Sequence, residues 1–69
     1  MKLSARNILK GKVVKVTAGA VNSEIVLELP GGAQVVSIIT KESADNLGLA
    51  VGKTAYAVIK ASNVMIGVD

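Results

Sequence analysis

The sequence contains neither cysteine nor histidine, and Tyr56 is the only residue among Phe, Trp and Tyr. Without thiols no disulfide can form, and without thiolate or imidazole ligands the ordinary zinc, copper and haem sites are not expected. The common nucleophile–base pairs of enzymes also use Cys or His. These absences argue against a protein with a resident metal and against an enzyme.

Long hydrophobic runs are also missing. No run approaches the roughly 18 apolar residues that a membrane helix needs, and no stretch has the form of a secretory signal. Yet 51% of the 69 residues are hydrophobic, which is more than a domain this small can bury within one chain. We therefore expect a soluble cytoplasmic protein whose apolar surplus covers subunit interfaces. A monomer with an apolar surface is the alternative.

The charge is unevenly distributed. The chain has 8 Lys and Arg residues against 5 Asp and Glu residues, a net charge of +3. Five of the cations fall near the start of the chain: Lys2, Arg6, Lys10, Lys12 and Lys15. This bias suits an anionic partner, although lysines on the outer face of a strand can simply be solvated.

Alternating apolar and polar residues predict a mostly β protein. The alternation is clearest over Val21–Leu29, and Thr40 is a plausible cap for a short helix. The predicted strands are Ile8–Thr17, Val21–Leu29, Ala33–Ile39, Thr54–Lys60 and Asn63–Val68, with the helix over Thr40–Gly48. This order predicts one domain over residues 1–69, an all-β five-stranded OB-fold-like barrel with one short helix. A small sandwich or an SH3-like barrel is the alternative.

Two polar clusters lie at the ends of predicted strands. Ser4-Ala5-Arg6-Asn7 precedes the first strand, and Lys60-Ala61-Ser62-Asn63 lies at the junction of the fourth and fifth strands. Each combines a cation, a hydroxyl and a small residue that lets an anion approach the backbone N–H groups. We expect the two clusters to meet, across a subunit boundary, and to bind a small oxyanion. Alternatively, the first is a polar lead-in to a strand and the second a hairpin turn.

Five motifs, in this order and spacing, resemble the molbindins, the small molybdenum-pterin-binding (Mop) proteins of bacteria. The motifs are Ser4-Ala5-Arg6-Asn7, Lys10-Gly11, Gly19-Ala20-Val21-Asn22, Ile39-Thr40-Lys41-Glu42-Ser43 and Ile59-Lys60-Ala61-Ser62-Asn63-Val64. The resemblance covers essentially the whole chain. It implies an OB-like fold, a homohexamer built as a trimer of dimers, and a non-catalytic cytoplasmic protein that stores molybdate or tungstate.

The resemblance also implies two classes of oxyanion site. The first takes one segment from each of two subunits, and its residues here are Ser4, Arg6, Asn7, Lys60, Ala61 and Ser62. The second lies near the threefold axis, and its residues here are Gly19, Ala20, Val21, Asn22, Thr40 and Ser43. Taken alone, Thr40 and Ser43 suit helix capping, and Gly19 suits a turn. No residue is a direct metal ligand, and a bound molybdopterin is possible but unsupported by the residues.

The residues by themselves indicate a tetrahedral oxyanion, since sulfate and phosphate would accept from the same donors; the resemblance adds molybdate. The alternative function is nucleic-acid binding, which many OB folds perform. Against it, Tyr56 is the only such aromatic residue, whereas OB folds that bind single strands stack bases on aromatic side chains. We expect no nucleic-acid partner and no membrane.

Overall fold

A computed structural model describes all 69 residues, and its largest feature is one curled antiparallel sheet. The elements are β1 (Asn7–Ala18), β2 (Asn22–Glu28), β3 (Gln34–Thr40), α1 (Lys41–Asn46) and β4 (Thr54–Ile59). The strands lie in the order β3-β2-β1-β4. A single 3-10 turn, Ala61–Asn63, follows β4. The prediction of a mostly β fold with one short helix is confirmed.

Strand β1 curls the sheet because it pairs with two partners in succession. Its first half, up to Lys12, pairs with β4, and the half from Lys12 onward pairs with β2. The register with β2 shifts between Val13 and Lys15, and such a bulge bends and twists a strand. At Gly11 a Cβ atom would lie 2.8 Å from the Glu28 carbonyl oxygen, so glycine permits the close approach of the two backbones.

Helix α1 is held at both ends. Thr40 is its N-cap, and the Thr40 Oγ1 accepts from the Ser43 N–H at 3.1 Å. After the last turn Gly48 adopts a φ of +63°, the left-handed conformation that glycine adopts readily. Lys53 Nζ donates to the Leu47 carbonyl oxygen at 2.7 Å. No helix in the structure has both the length and the apolar character needed to cross a bilayer.

The core of the single chain is small. Only 6 of the 69 residues are buried. The core cluster consists of Val13, Ile25, Leu27 and Ala44, so β1, β2 and α1 all contribute to it. Fifteen large hydrophobic side chains remain exposed. The chain alone therefore leaves much apolar surface in water, which costs roughly 25 cal/mol per Å².

The fifth strand, predicted over Asn63–Val68, is wrong for the single chain, which has four strands. Residues 64–69, here called the C-terminal tail, join no sheet. Met65, Ile66 and Val68 are 93%, 87% and 94% exposed. The tail has a β-type composition, but a strand also needs a pairing partner. In the 3-10 turn after β4, the N–H groups of Asn63 and Val64 donate to the carbonyl oxygens of Lys60 and Ala61. The tail pairs with neither edge strand of the sheet.

An apolar groove of about 760 Å³ lies between β3 and β4, the two edge strands of the sheet. Of its 16 lining residues 13 are hydrophobic, among them Val35 and Ile39 of β3 and Ala55 and Ala57 of β4. The sheet is therefore curled but open between its edges.

Candidate functional site

The two polar clusters lie together at one end of the β1–β4 ladder. Asn7 and Ile59 are the last Cα partners of this ladder, so the residues before β1 and after β4 leave the sheet side by side. They form a surface pocket of about 490 Å³, here called the terminal pocket. The residues that line it are Ser4, Ala5, Arg6, Lys60, Ala61 and Ser62. Antiparallel pairing thus joins segments from opposite ends of the sequence.

The terminal pocket is lined by cations, hydroxyl groups and small side chains. Arg6 and Lys60 give it two positive charges, and none of its six lining residues carries a carboxylate. Ser4 and Ser62 add hydroxyl groups. The 3-10 turn begins at this pocket, and no side chain caps it at Lys60. The first N–H groups of such a turn lack intrahelical partners, so they are also available to a bound acceptor.

Asn7, predicted as a ligand, does not line this pocket. Its Nδ2 donates to the Ile59 carbonyl oxygen at 3.3 Å, and the residue is half-buried. Ala5 also lines the pocket, and the sequence signal for it is its small size within the first polar cluster. Since both clusters of one chain line the same pocket, their meeting does not require a second chain.

The segments predicted for a second site also meet. The Lys41 N–H donates to the Val21 carbonyl oxygen at 2.8 Å, which joins the start of α1 to the turn between β1 and β2. A pocket of about 550 Å³, the helix pocket, lies at this junction. Its lining residues are Ala20, Val21, Thr40, Lys41, Glu42, Asp45 and Asn46. The predicted residues Gly19, Asn22 and Ser43 do not line it.

The helix pocket is a poor anion site within one chain. Glu42 and Asp45 line it with only Lys41 to balance them, so its formal charge is negative. Thr40 donates its hydroxyl hydrogen to the Ser43 Oγ at 2.8 Å, so it has none left for a ligand. The second site stays a prediction. Glu42 and Asp45 were not among the residues predicted for this site, and the structure places both carboxylates in its lining.

Other candidate chemistry is sparse. No three His, Cys, Asp or Glu side chains cluster as a metal ion would require. Tyr56 lines the apolar groove and neither polar pocket. Lys12 of β1 is exposed, and its Cα partner on β2 is Glu28. A carboxylate beside this lysine lowers the positive charge that β1 would offer to a nucleic acid.

Comparisons with known proteins identify the family to which this chain belongs. A family model described as "TOBE domain" matches residues 3–66. The "Probable molybdenum-pterin-binding protein" of Haemophilus influenzae is 48% identical over 69 residues, the full length of both chains.

Two solved structures have the same fold. MopII from Clostridium pasteurianum superposes with a TM-score of 0.92 at 46% identity, over 97% of this chain and 100% of that one. ModG, a cytoplasmic molybdate-binding protein solved with molybdate bound, gives a TM-score of 0.95 at 54% identity. The match covers all of this chain and 49% of ModG, so this chain spans about half of that protein.

Proposed function

Because this chain belongs to the TOBE domain family, and within it to the molybdenum-pterin-binding (Mop) proteins, we propose that it binds molybdate, or the similarly tetrahedral tungstate, in the cytoplasm. Its role is storage and homeostasis of the anion rather than catalysis. The observation that carries this proposal is the terminal pocket, which gathers Arg6 and Lys60 without any carboxylate.

The chemistry of the ligand matches this donor set. Molybdate is a dianion whose oxygens only accept hydrogen bonds. Two cations neutralise it, while serine hydroxyls and backbone N–H groups add directional bonds without further charge. By contrast, the helix pocket offers one cation and two carboxylates. We therefore assign the oxyanion to the terminal pocket.

A pterin fits this pocket less well than a free oxyanion. A flat heteroaromatic ring gains most by stacking on an aromatic side chain. The terminal pocket has none, and Tyr56 lies in the apolar groove. The proposed ligand is therefore the anion by itself.

Self-assembly as a homohexamer, a trimer of dimers, is the second part of the proposal. It is supported by the small core and by the apolar character that the groove and the tail share. The tail exposes Met65, Ile66 and Val68 to solvent, and the groove is apolar and lies between the two edge strands. In the proposed dimer, the tail of one copy occupies the groove of the other and completes an OB-like barrel with a fifth strand.

Assembly would also complete the anion site. The terminal pocket has a volume of about 490 Å³, whereas one water molecule occupies about 30 Å³ in the liquid. The pocket therefore has room for a tetrahedral ion together with many water molecules. All the cations and hydroxyls that line it are exposed, so water would compete with the ion. A second chain that covers the pocket would exclude this water and could add its own donors around the ion.

Native mass spectrometry with and without molybdate tests both parts together. We expect six subunits and discrete mass increments from bound oxyanions. Tungstate serves as a second ligand, because its larger mass distinguishes bound anion from salt adducts. A folded protein that retains neither anion would refute the proposed function, whereas a monomer that binds molybdate would refute only the assembly.

An electrophoretic shift with single-stranded DNA at physiological salt tests the alternative function, nucleic-acid binding.

A further inference from the structure

We infer that Asn7 is a positioning residue of the terminal pocket, joining its two halves, and not a ligand of the oxyanion. This inference rests on the proposed function. The Asn7 side chain donates to the Ile59 carbonyl oxygen at 3.3 Å, a contact between residues separated by 52 positions. It is half-buried and absent from the pocket lining. Its amide is therefore directed to the backbone of β4 and not to the space where an ion would bind.

The hydrogen bond between Asn7 and Ile59 lies at the end of the β1–β4 ladder, next to the terminal pocket. Asn7 and Ile59 are the final Cα partners of the β1–β4 ladder. The next residue on each side, Arg6 and Lys60, already belongs to the pocket. Ends of ladders open easily because no further pair holds them. A side-chain bond across the last pair keeps the two pocket segments from separating.

The charges of the pocket make such a bond useful. Before an anion arrives, Arg6 and Lys60 share one pocket with no carboxylate to offset them. Like charges repel, and the repulsion favours a wider separation of the two segments. Asn7 opposes that separation with a neutral amide, so it adds no charge of its own. The pocket is thus preorganised, and the anion does not have to draw the two segments together.

A double-mutant cycle distinguishes positioning from direct contact. If Asn7 acts by keeping Arg6 and Lys60 close, its removal matters only while both cations are present. Asn7→Ala should then weaken molybdate binding about five- to tenfold in the natural protein, the size of one hydrogen bond. In a Lys60→Ala background the same change should weaken binding less than twofold. Isothermal titration calorimetry on the assembled protein measures all four affinities.

The matched control is Asn63→Ala, which removes an exposed amide next to the pocket but outside its lining; we expect its affinity within twofold of the natural protein's. Equal losses from Asn7→Ala in both backgrounds would overturn the inference in favour of a direct ligand. A loss of thermal stability with unchanged affinity would overturn it in favour of a purely structural role.

Amide exchange supplies an independent readout that needs no anion. In anion-free protein labelled with nitrogen-15, the side-chain amide of Asn7 should exchange with solvent more slowly than that of Asn63. Equal exchange rates would overturn the inference. If the natural protein binds no molybdate, the proposed function fails, and this comparison still decides whether Asn7 joins the two segments.

Discussion

Lys53 and Leu47 are joined across the loop that follows α1. The Lys53 Nζ donates to the Leu47 carbonyl oxygen at 2.7 Å and to the Gly48 carbonyl oxygen at 3.3 Å. The backbone of the same lysine accepts from the Val13 N–H at 2.9 Å, and Val13 is fully buried. One residue therefore ties the C-terminal end of the helix to the centre of β1.

Replacing Lys53 should destabilise the fold without removing an anion donor. Lys53→Met keeps most of the aliphatic stem but loses the bonds to two helix-end carbonyls and the favourable interaction with the helix dipole. Since these bonds are exposed to solvent, we expect a loss of about 0.5–1 kcal/mol, or a Tm lower by several degrees in a domain this size. Lys10→Met, at an exposed position of β1, is the control and should leave the Tm unchanged.

Gly11 should not tolerate a side chain. A Cβ there would lie 2.8 Å from the Glu28 carbonyl oxygen and 3.2 Å from a Leu29 methyl group, so one of the two strands would have to move. We expect Gly11→Ala to lower the free energy of unfolding by about 1–3 kcal/mol. Urea denaturation at fixed protein concentration measures it. Lys12→Ala, in the same strand, removes atoms instead and should have a much smaller effect.

Removing either cation of the terminal pocket should weaken molybdate binding. A hydrogen bond to a charged group contributes about 1.5–3 kcal/mol, so Arg6→Ala and Lys60→Ala should each lower the affinity tenfold or more. Equilibrium dialysis measures this loss. Lys10→Ala removes the same formal charge outside the pocket, and an equal loss there would mean that net charge alone attracts the anion.

Mixing the two cation variants tests whether a site is shared. Arg6→Ala and Lys60→Ala proteins are dissociated, combined and reassembled. If each ion contacts Arg6 of one chain and Lys60 of another, some mixed sites will be complete, and tight binding should partly return. No recovery would mean that one chain supplies both cations to each ion, as the single-chain pocket already permits.

Anion affinity should change little between about pH 6 and pH 8. Histidine is the side chain that ordinarily changes charge in this range, and the chain has none. Calorimetric titrations at the two ends of the range, at constant ionic strength, are the measurement. A tenfold difference would show that a titrating group controls the site.

Charges on the C-terminal tail should disrupt assembly. Ile66→Asp would place a carboxylate in the apolar groove of the second copy, where an unpaired charge is costly. Sedimentation velocity at low micromolar concentration should then show smaller species than the natural protein does. Val51→Asp is the control, because Val51 is 69% exposed and lies outside the groove lining. Equal dissociation in both variants would contradict the exchange of tails.

Local features of the fold were predictable because they depend on neighbouring residues. The existence of β2 and the Thr40 cap are decided within a few positions, and both are confirmed. The burial of β2 alternates less than its sequence does, since Val26 is buried between Ile25 and Leu27. The glycine at position 48 takes the left-handed conformation expected of a residue that follows a helix. Such signals require no knowledge of the distant chain.

What the sequence did not reveal concerns contacts between residues that are remote along the chain. Strand propensity in the tail could not show that no edge of the same chain pairs with it. The sequence also could not show that the Asn7 amide donates to the Ile59 carbonyl oxygen. Asp45 lines the helix pocket because the fold brings α1 against the β1–β2 turn. This contact also joins residues that are far apart in the sequence.

Anomalous diffraction at the molybdenum absorption edge, from crystals grown with molybdate, tests the central claim most directly. The scattering of the metal locates the ion without assumptions about its ligands. We predict a peak in the terminal pocket, within hydrogen-bonding distance of Arg6 and Lys60. Peaks confined to the helix pocket, or no ordered peak near either cation, would contradict the proposed site.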